Sequence, residues 1–183
     1  MKIETGYTIR KARPEDGEAV AQVQIKAWQA FYAEIFPADK LASLEDGREL
    51  LAERWKANII APDRLPAFFV VETDRGKVVG FAAGDQQRNQ DYPFEAELQV
   101  IYLLPEYHRM GIGRQLMAAV AAMLMAVGFA SLILWVLKDN HGSRLFYEKL
   151  GGQLVGKSDY ERWDEVYSIV AYGWEDLSLL LQP

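Results

Sequence analysis

The chain contains no cysteine, and only two histidines, His108 and His141, among its 183 residues. Without thiols there is no disulfide framework, no thiolate zinc site, no iron–sulfur ligation and no cysteine nucleophile. Two histidines are too few for most metal or triad chemistry, so no metal is expected. Positive charge is also scarce: 20 Lys and Arg stand against 26 Asp and Glu, a net charge of -6. That balance disfavours nucleic acid as a partner, because such binding needs a basic face. The opening MKIETGYTIRKARPED lacks the apolar stretch of a signal peptide. A cytoplasmic protein is the expectation.

Long uncharged runs are absent with one exception. Residues 116–137, LMAAVAAMLMAVGFASLILWVL, carry no charge over 22 positions, enough to span a bilayer. The competing reading splits the run at Gly128. Before it lies an Ala/Leu/Met stretch of high helix propensity, and after it LILWV is short, apolar and β-rich. A glycine between them can take the left-handed conformation that ends a helix. A buried helix–strand pair is therefore expected, and no membrane contact.

Half of the residues are hydrophobic and a quarter charged, as in an ordinary globular protein. The length suits one domain over 1–183. Strands are predicted at Tyr7–Ala12, Ala67–Thr73, Lys77–Ala83 and Glu95–Leu104, and again at 131–137, 152–157 and 165–174. Asp74-Arg75-Gly76 joins two of them as a hairpin. Helices are predicted from Pro14 to about Ile35, from Leu44 to Ile59, over 113–127 and over 142–150. This order describes an α/β fold, a mixed sheet with helices on its faces.

Two glycine motifs compete for a phosphate-binding role. Gly151–Ser158, GGQLVGKS, satisfies the Gly-x-x-x-x-Gly-Lys-Ser pattern of nucleotide-binding loops. That pattern works between a strand and a helix, whereas the preceding SRLFYEKL is helical in pattern. Gly151 reads as a helix C-cap, and Gln153-Leu154-Val155 as strand. The second motif is His108-Arg109-Met110-Gly111-Ile112-Gly113-Arg114, placed between a strand and an uncharged helix. Its glycines let the backbone approach an anion, and the first helical N–H groups point at it.

Downstream of the next strand stands Asn140-x-x-Ser143-x-x-Phe146-Tyr147-x-x-x-Gly151. Together these two motifs resemble the GNAT superfamily of acyl-CoA-dependent N-acetyltransferases, whose loop reads Gln/Arg-x-x-Gly-x-Gly/Ala. The match is strong over about 95–156, and the opening strand and helix are similar too. His108 departs from the pattern, standing where the family has Gln or Arg.

The resemblance implies a central mixed, mostly antiparallel sheet and acetyl-CoA as co-substrate. It implies that the pantetheine arm pairs with main-chain groups at Ile101 and Leu103. It further implies pyrophosphate on the amides of Arg109, Met110, Gly111, Ile112, Gly113 and Arg114, with Asn140 bonding the cofactor arm. Asn140 reads equally well as a helix N-cap. Tyr147 matches the tyrosine that protonates the leaving thiolate. Without a cysteine, transfer is direct, in a ternary complex.

An alkylammonium is neutral about once in ~2,500 molecules at pH 7, so a base is useful. Glu97 is the candidate, because some relatives place a glutamate base there; others use a water chain. Trp28, Phe31, Tyr32 and Phe36 form an aromatic stripe, with Trp28 and Tyr32 as candidate acceptor contacts. Such a stripe is either core or a cleft wall for a cationic amine. The polar loop Asp85–Asp91 either rims that cleft or is solvated. The acceptor is expected to be an amine on a small molecule or peptide, and a homodimer is left open. A non-catalytic acyl-CoA-binding regulator and a P-loop nucleotidase are the alternatives.

Overall fold

Alternation in YTIRK and the β-branched, aromatic run AFFVVET produce neighbouring antiparallel strands, β1 (Tyr7–Lys11) and β2 (Ala67–Thr73). They are seen in a computed structural model that describes residues 6–61, 65–89 and 91–182. A turn at Asp74–Gly76 leads into β3 (Val78–Gln86), which pairs antiparallel with β2. Then follow β4 (Ala96–Leu103), β5 (Leu132–Leu137), β6 (Gln153–Arg162) and β7 (Glu165–Trp174). The seven strands lie in the order β1-β2-β3-β4-β5-β7-β6. Only β4 and β5 are parallel neighbours. The mixed, mostly antiparallel sheet is the expected one.

Helices cover both faces of the middle strands. α1 (Gly17–Phe31) and α3 (Arg48–Ile60) pack together on one face. There Trp55 meets Phe68 and Phe81 edge-on, and its indole N–H donates to Gln24 over 2.8 Å. α4 (Ile112–Ala126) buries Leu116, Val120 and Leu124, which recur at helical spacing. A Cβ at Gly84 of β3 would stand 3.0 Å from Val120 and 3.3 Å from Leu124. Phe81 and Gly84 thus look to opposite faces, and seven consecutive residues of β3 are buried.

Two strands run beyond their predicted ends, β3 to Gln86 rather than Ala83 and β6 to Arg162 rather than 157, and two helices differ as well. α1 stops at Phe31 rather than near Ile35, because the chain bends at Tyr32 and drives Phe36 into an aromatic cluster. The second predicted helix begins at Arg48 rather than Leu44. A five-residue helix, α2 (Ala38–Ala42), and a 3-10 turn precede it, the turn ending at the weak helix former Gly47.

The uncharged run divides as predicted. α4 ends at Ala126, Gly128 takes φ 103°, and β5 begins at Leu132. Among the described residues no helix is long and apolar enough to cross a membrane. GGQLVGKS begins in the cap of α5 (His141–Lys149), where Gly151 has φ 84°, and continues as β6. Its amides serve an antiparallel ladder with β7, so it does not wrap an anion.

Near the N-terminal end, the Arg10 guanidinium holds Asp16 by two bonds of 2.7 and 2.9 Å and also bonds Glu72. Burial pushes the Asp16 carboxyl up, yet Arg10 and the Arg13 amide outweigh it and hold the group below its usual range. This anchors β1 and the start of α1 to β2, at a distance in sequence from the loop of α4.

Candidate active site

β4 and β5 pair only over Ala96–Leu98 and Leu132–Leu134. Beyond that point they part. On its other side β4 carries a bulge: Ala83 faces Val100 and Gly84 faces Leu98, leaving Gln99 unmatched. An extra residue bends a strand and increases its twist, and here it marks where β4 leaves its parallel neighbour. The Leu104 N–H donates to the Val79 carbonyl. Because bonded positions alternate in an antiparallel ladder, Ile101 and Leu103 turn their main-chain groups the other way, into the gap.

The gap opens into a cleft of about 690 Å³, bordered by β4, β5 and the starts of α4 and α5. At α4 the geometry needed for an anion site is present. Gly111 is the N-cap with φ 79°, a left-handed conformation in which a side chain would be strained. No side chain caps the helix, and the first helical bond is Gln115 N–H to the Gly111 carbonyl. The amides preceding Gln115 therefore have no acceptor within the helix. Gly113 lies against the Phe146 ring, which a Cβ would approach to 3.2 Å, and this closeness seats α4 on α5.

The flanking arginines differ. Arg109 lines the cleft from a left-handed backbone position, φ 59°. Arg114 also lines it, but its guanidinium reaches the Gln182 carbonyl at 3.0 Å. Met110 packs against the core from outside the cleft lining, and the Ile112 side chain is buried in the core. Those two residues can contribute only through their backbone.

His108 does more than fill a solvent-facing loop position. Its ring stacks on Phe31, with centroids 4.5 Å apart, and its Nε2 lies 3.0 Å from the Leu103 carbonyl oxygen. A carbonyl only accepts, so Nε2 carries the hydrogen. The imidazole thus occupies one of the two Leu103 main-chain groups that face the gap, leaving the amide. It also joins the α4 loop to the end of α1. His141 is exposed at the start of α5.

Asn140 caps α5, its Oδ1 accepting from the Ser143 amide at 3.1 Å, while the same residue lines the cleft. Both roles suggested for it are compatible. Tyr147, two turns further along α5, is buried to 6% exposure and lines the same cleft. Burial first, and then the neighbouring Tyr102, push its phenol well above the usual tyrosine range. A raised value keeps the proton on: Tyr147 is a donor across neutral pH.

The aromatic stripe is a wall. Trp28 and Tyr32 touch edge-on at 5.3 Å, Trp28 stacks on Phe36 at 5.6 Å, and all three line the cleft. Burial raises the Tyr32 phenol to about 12, with Tyr147 and Tyr160 reinforcing the shift. Tyr102 and Tyr160 were not singled out from sequence, nor was Trp135. They reach the cleft from β4, β6 and β5, and plain strand alternation gives no signal that separates them from core.

Glu97 stands apart from the cleft. Its carboxylate is buried, but both oxygens are held by Arg88, at 2.7 and 3.1 Å, and the side chain is not part of the cleft lining. The apolar isolation expected to suit a base is replaced by an ion pair. The reason is local: Arg88 lies in the loop that follows β3, which runs antiparallel beside Glu97. That loop does not rim the cleft either, since none of Asp85–Asn89 lines it, and Gln90 lies outside the described residues. Among the described residues no group of three His, Asp or Glu could hold a metal ion.

A splayed parallel strand pair thus faces an uncapped helix start across one cleft. The comparisons with known proteins agree on what this is. Residues 25–152 match the model of the acetyltransferase (GNAT) family, and the chain belongs to that family. Over 173 residues it is 35% identical to YuaI of Bacillus subtilis, described as an uncharacterized N-acetyltransferase, covering 94% of this chain and 95% of that one. A second such protein, MJ1207 of Methanocaldococcus jannaschii, is 29% identical over 79% of this chain, which spans 60% of that relative's length. In fold, the chain is similar to the PaiA N-acetyltransferase of Thermoplasma acidophilum, solved in complex with coenzyme A. The TM-score there is 0.73 at 23% identity, with 92% of this chain and 99% of that chain covered. The protein is an N-acetyltransferase.

Proposed function

We propose that the cleft binds acetyl-CoA and passes its acetyl group directly to an amine on a small molecule or peptide. The observation that carries this reading is the alignment of three features along one cleft: the free edge of β4, the uncapped start of α4, and a buried, protonated Tyr147. The residues suit the ligand. Main-chain groups of Ile101 and the Leu103 amide can pair with an extended amide-bearing arm. Amides from Arg109 to Arg114 can receive a pyrophosphate at the positive end of the helix dipole. Asn140 keeps a lone pair on its Oδ1 for the arm while capping α5.

Acetyl-CoA supplies an activated acyl group as a thioester. The amine nitrogen bonds to the carbonyl carbon and the carbon–sulfur bond breaks, the departing sulfur keeping the electron pair. Tyr147 donates its proton to that thiolate, and its phenolate recovers, by way of water, the second proton that the acceptor nitrogen sheds once it has bonded to carbon. The Leu103 amide, which faces the gap, polarises the carbonyl oxygen in this reading. No carboxylate lines the cleft among the described residues, so water, rather than Glu97, takes the proton from the incoming ammonium.

The test is thermal stabilisation by acetyl-CoA, followed by thiol release across an amine panel. We expect both. Stabilisation by ATP alone would overturn the reading, and acetyl-CoA binding without release from a broad panel would favour a regulator.

A further inference from the structure

Beside the acceptor end of the cleft, one on its wall and one just outside its lining, stand donors without acceptors. Arg162, the last residue of β6, stands two positions after Tyr160, on the same strand face, and Tyr160 lines the cleft. The Arg162 guanidinium carbon lies 4.6 Å from the Trp163 ring centre and 5.5 Å from that of Trp28. Among the described residues no carboxylate pairs with it, and its Nε is enclosed without a hydrogen-bond partner. The indole N–H of Trp28, a cleft-wall residue, is enclosed in the same way, with the Tyr102 hydroxyl nearby but in no bonding geometry. Two unsatisfied donors, one of them cationic, meet at one aromatic face.

The backbone behind them is strained to produce this arrangement. Trp163 and Asp164 form the two-residue turn between β6 and β7, with φ of 52° and 60°. Such turns favour Asn and Gly, and a bulky residue at positive φ persists only where its surroundings hold it. Trp163 is held by edge contacts with Trp28 at 6.3 Å and Phe36 at 5.3 Å. The strain places an indole and an arginine against the acceptor wall. One of the two roles left open for that stripe, a wall for a cationic amine, is already taken by the chain's own cation. A polyamine would set like charge beside Arg162, with no acid in the cleft lining to offset it.

We infer that the acceptor is an amine that also carries a carboxylate, an amino acid or peptide terminus. Arg162 receives the carboxylate through its planar fork, the Trp28 N–H adds a second donor, and the amine is left facing the β4 edge. This rests on the acetyl-transfer reading above. It selects among amines by what hangs beside the nitrogen, not by the nitrogen itself.

The experiment uses matched acceptors with acetyl-CoA: amino acids against their decarboxylated amines, a dipeptide against its C-terminal amide, and spermidine. We expect kcat/KM at least tenfold higher for the carboxylate member of the best pair. Whether amino acid or dipeptide leads identifies the source of the carboxylate. Arg162→Gln should cut that preference below threefold with an unchanged KM for acetyl-CoA, and Arg162→Lys should keep part of it. If Arg162→Gln melts well below the parent, Trp28→Phe, which removes only the N–H, should still lower the preference by about half. Equal or better use of decarboxylated amines or spermidine overturns the inference while leaving acetyl transfer intact, as does an unchanged preference in folded Arg162→Gln. No thiol release from any acceptor overturns the acetyl-transfer reading instead.

Discussion

The two ends of the cleft are made of different material. The end at α4 is main chain: a left-handed glycine, a run of amides with no acceptor inside the helix and a strand edge turned into the gap. The end at α1 and β6 is side chain: Trp28, Tyr32, Phe36 and Tyr160, with Arg162 stacked behind. Backbone donors read phosphate and amide groups that every acyl-CoA shares, so that end can be generic. Side chains can be exchanged without disturbing the ladder, so the other end is free to specialise. Tyr147 stands where the two meet.

Substitutions can break or sharpen this contrast. The largest effect is expected at the junction: Tyr147→Phe should lower kcat by about 100-fold or more with little change in either KM. Steady-state kinetics with both substrates varied checks it. Because the folded environment raises the Tyr147 phenol, the acid form persists below its folded value. Parent activity should therefore show no loss from this group up to about pH 10. Next comes Gly111→Ala, which must hold a Cβ at φ 79° at a cost of about 1–2 kcal/mol. It should lower the melting temperature and raise the KM for acetyl-CoA, sparing the acceptor KM. Should both KM values rise together, the two ends are not separable.

His108→Ala is the case that crosses the boundary. The ring touches Phe31 on one side and Leu103 on the other, so both KM values should rise, by roughly two- to fivefold, as for loss of one hydrogen bond. Glu97→Gln should do least to the chemistry. The acidic limb of the pH–rate profile is expected to stay in place, since Arg88 holds the carboxylate off the cleft. A flattened limb would return Glu97 to the role of base.

Legibility followed the same divide. The α4 loop could be read because it is one contiguous segment, 108–114, whose glycines answer a backbone demand. The α5 segment could be read for the same reason, its Asn140 cap and Tyr147 lying seven positions apart. The strand segments, the hairpin at Asp74-Arg75-Gly76 and the helix–strand division at Gly128 could be read from local pattern, but the order of strands in the sheet could not. What stayed hidden was assembled from afar. Trp28 and Arg162 are separated by most of the chain and meet only because β6 returns beside α1's end. Arg88 and Glu97 meet across β3 and β4, and nothing in either segment announces the pair. His108 was judged by its departure from a pattern, whereas its place is set by a ring and a carbonyl that no local spacing reveals.

The parting of β4 from β5 has a consequence for how the protein survives without ligand. It leaves a strand edge in the middle of the sheet, the kind of feature that templates pairing with foreign chains. This edge is recessed between α1 and α5, and His108 occupies the Leu103 carbonyl on it. A foreign strand would therefore find one of its acceptors already taken, so the edge that faces the cleft is a poorer template than its length suggests.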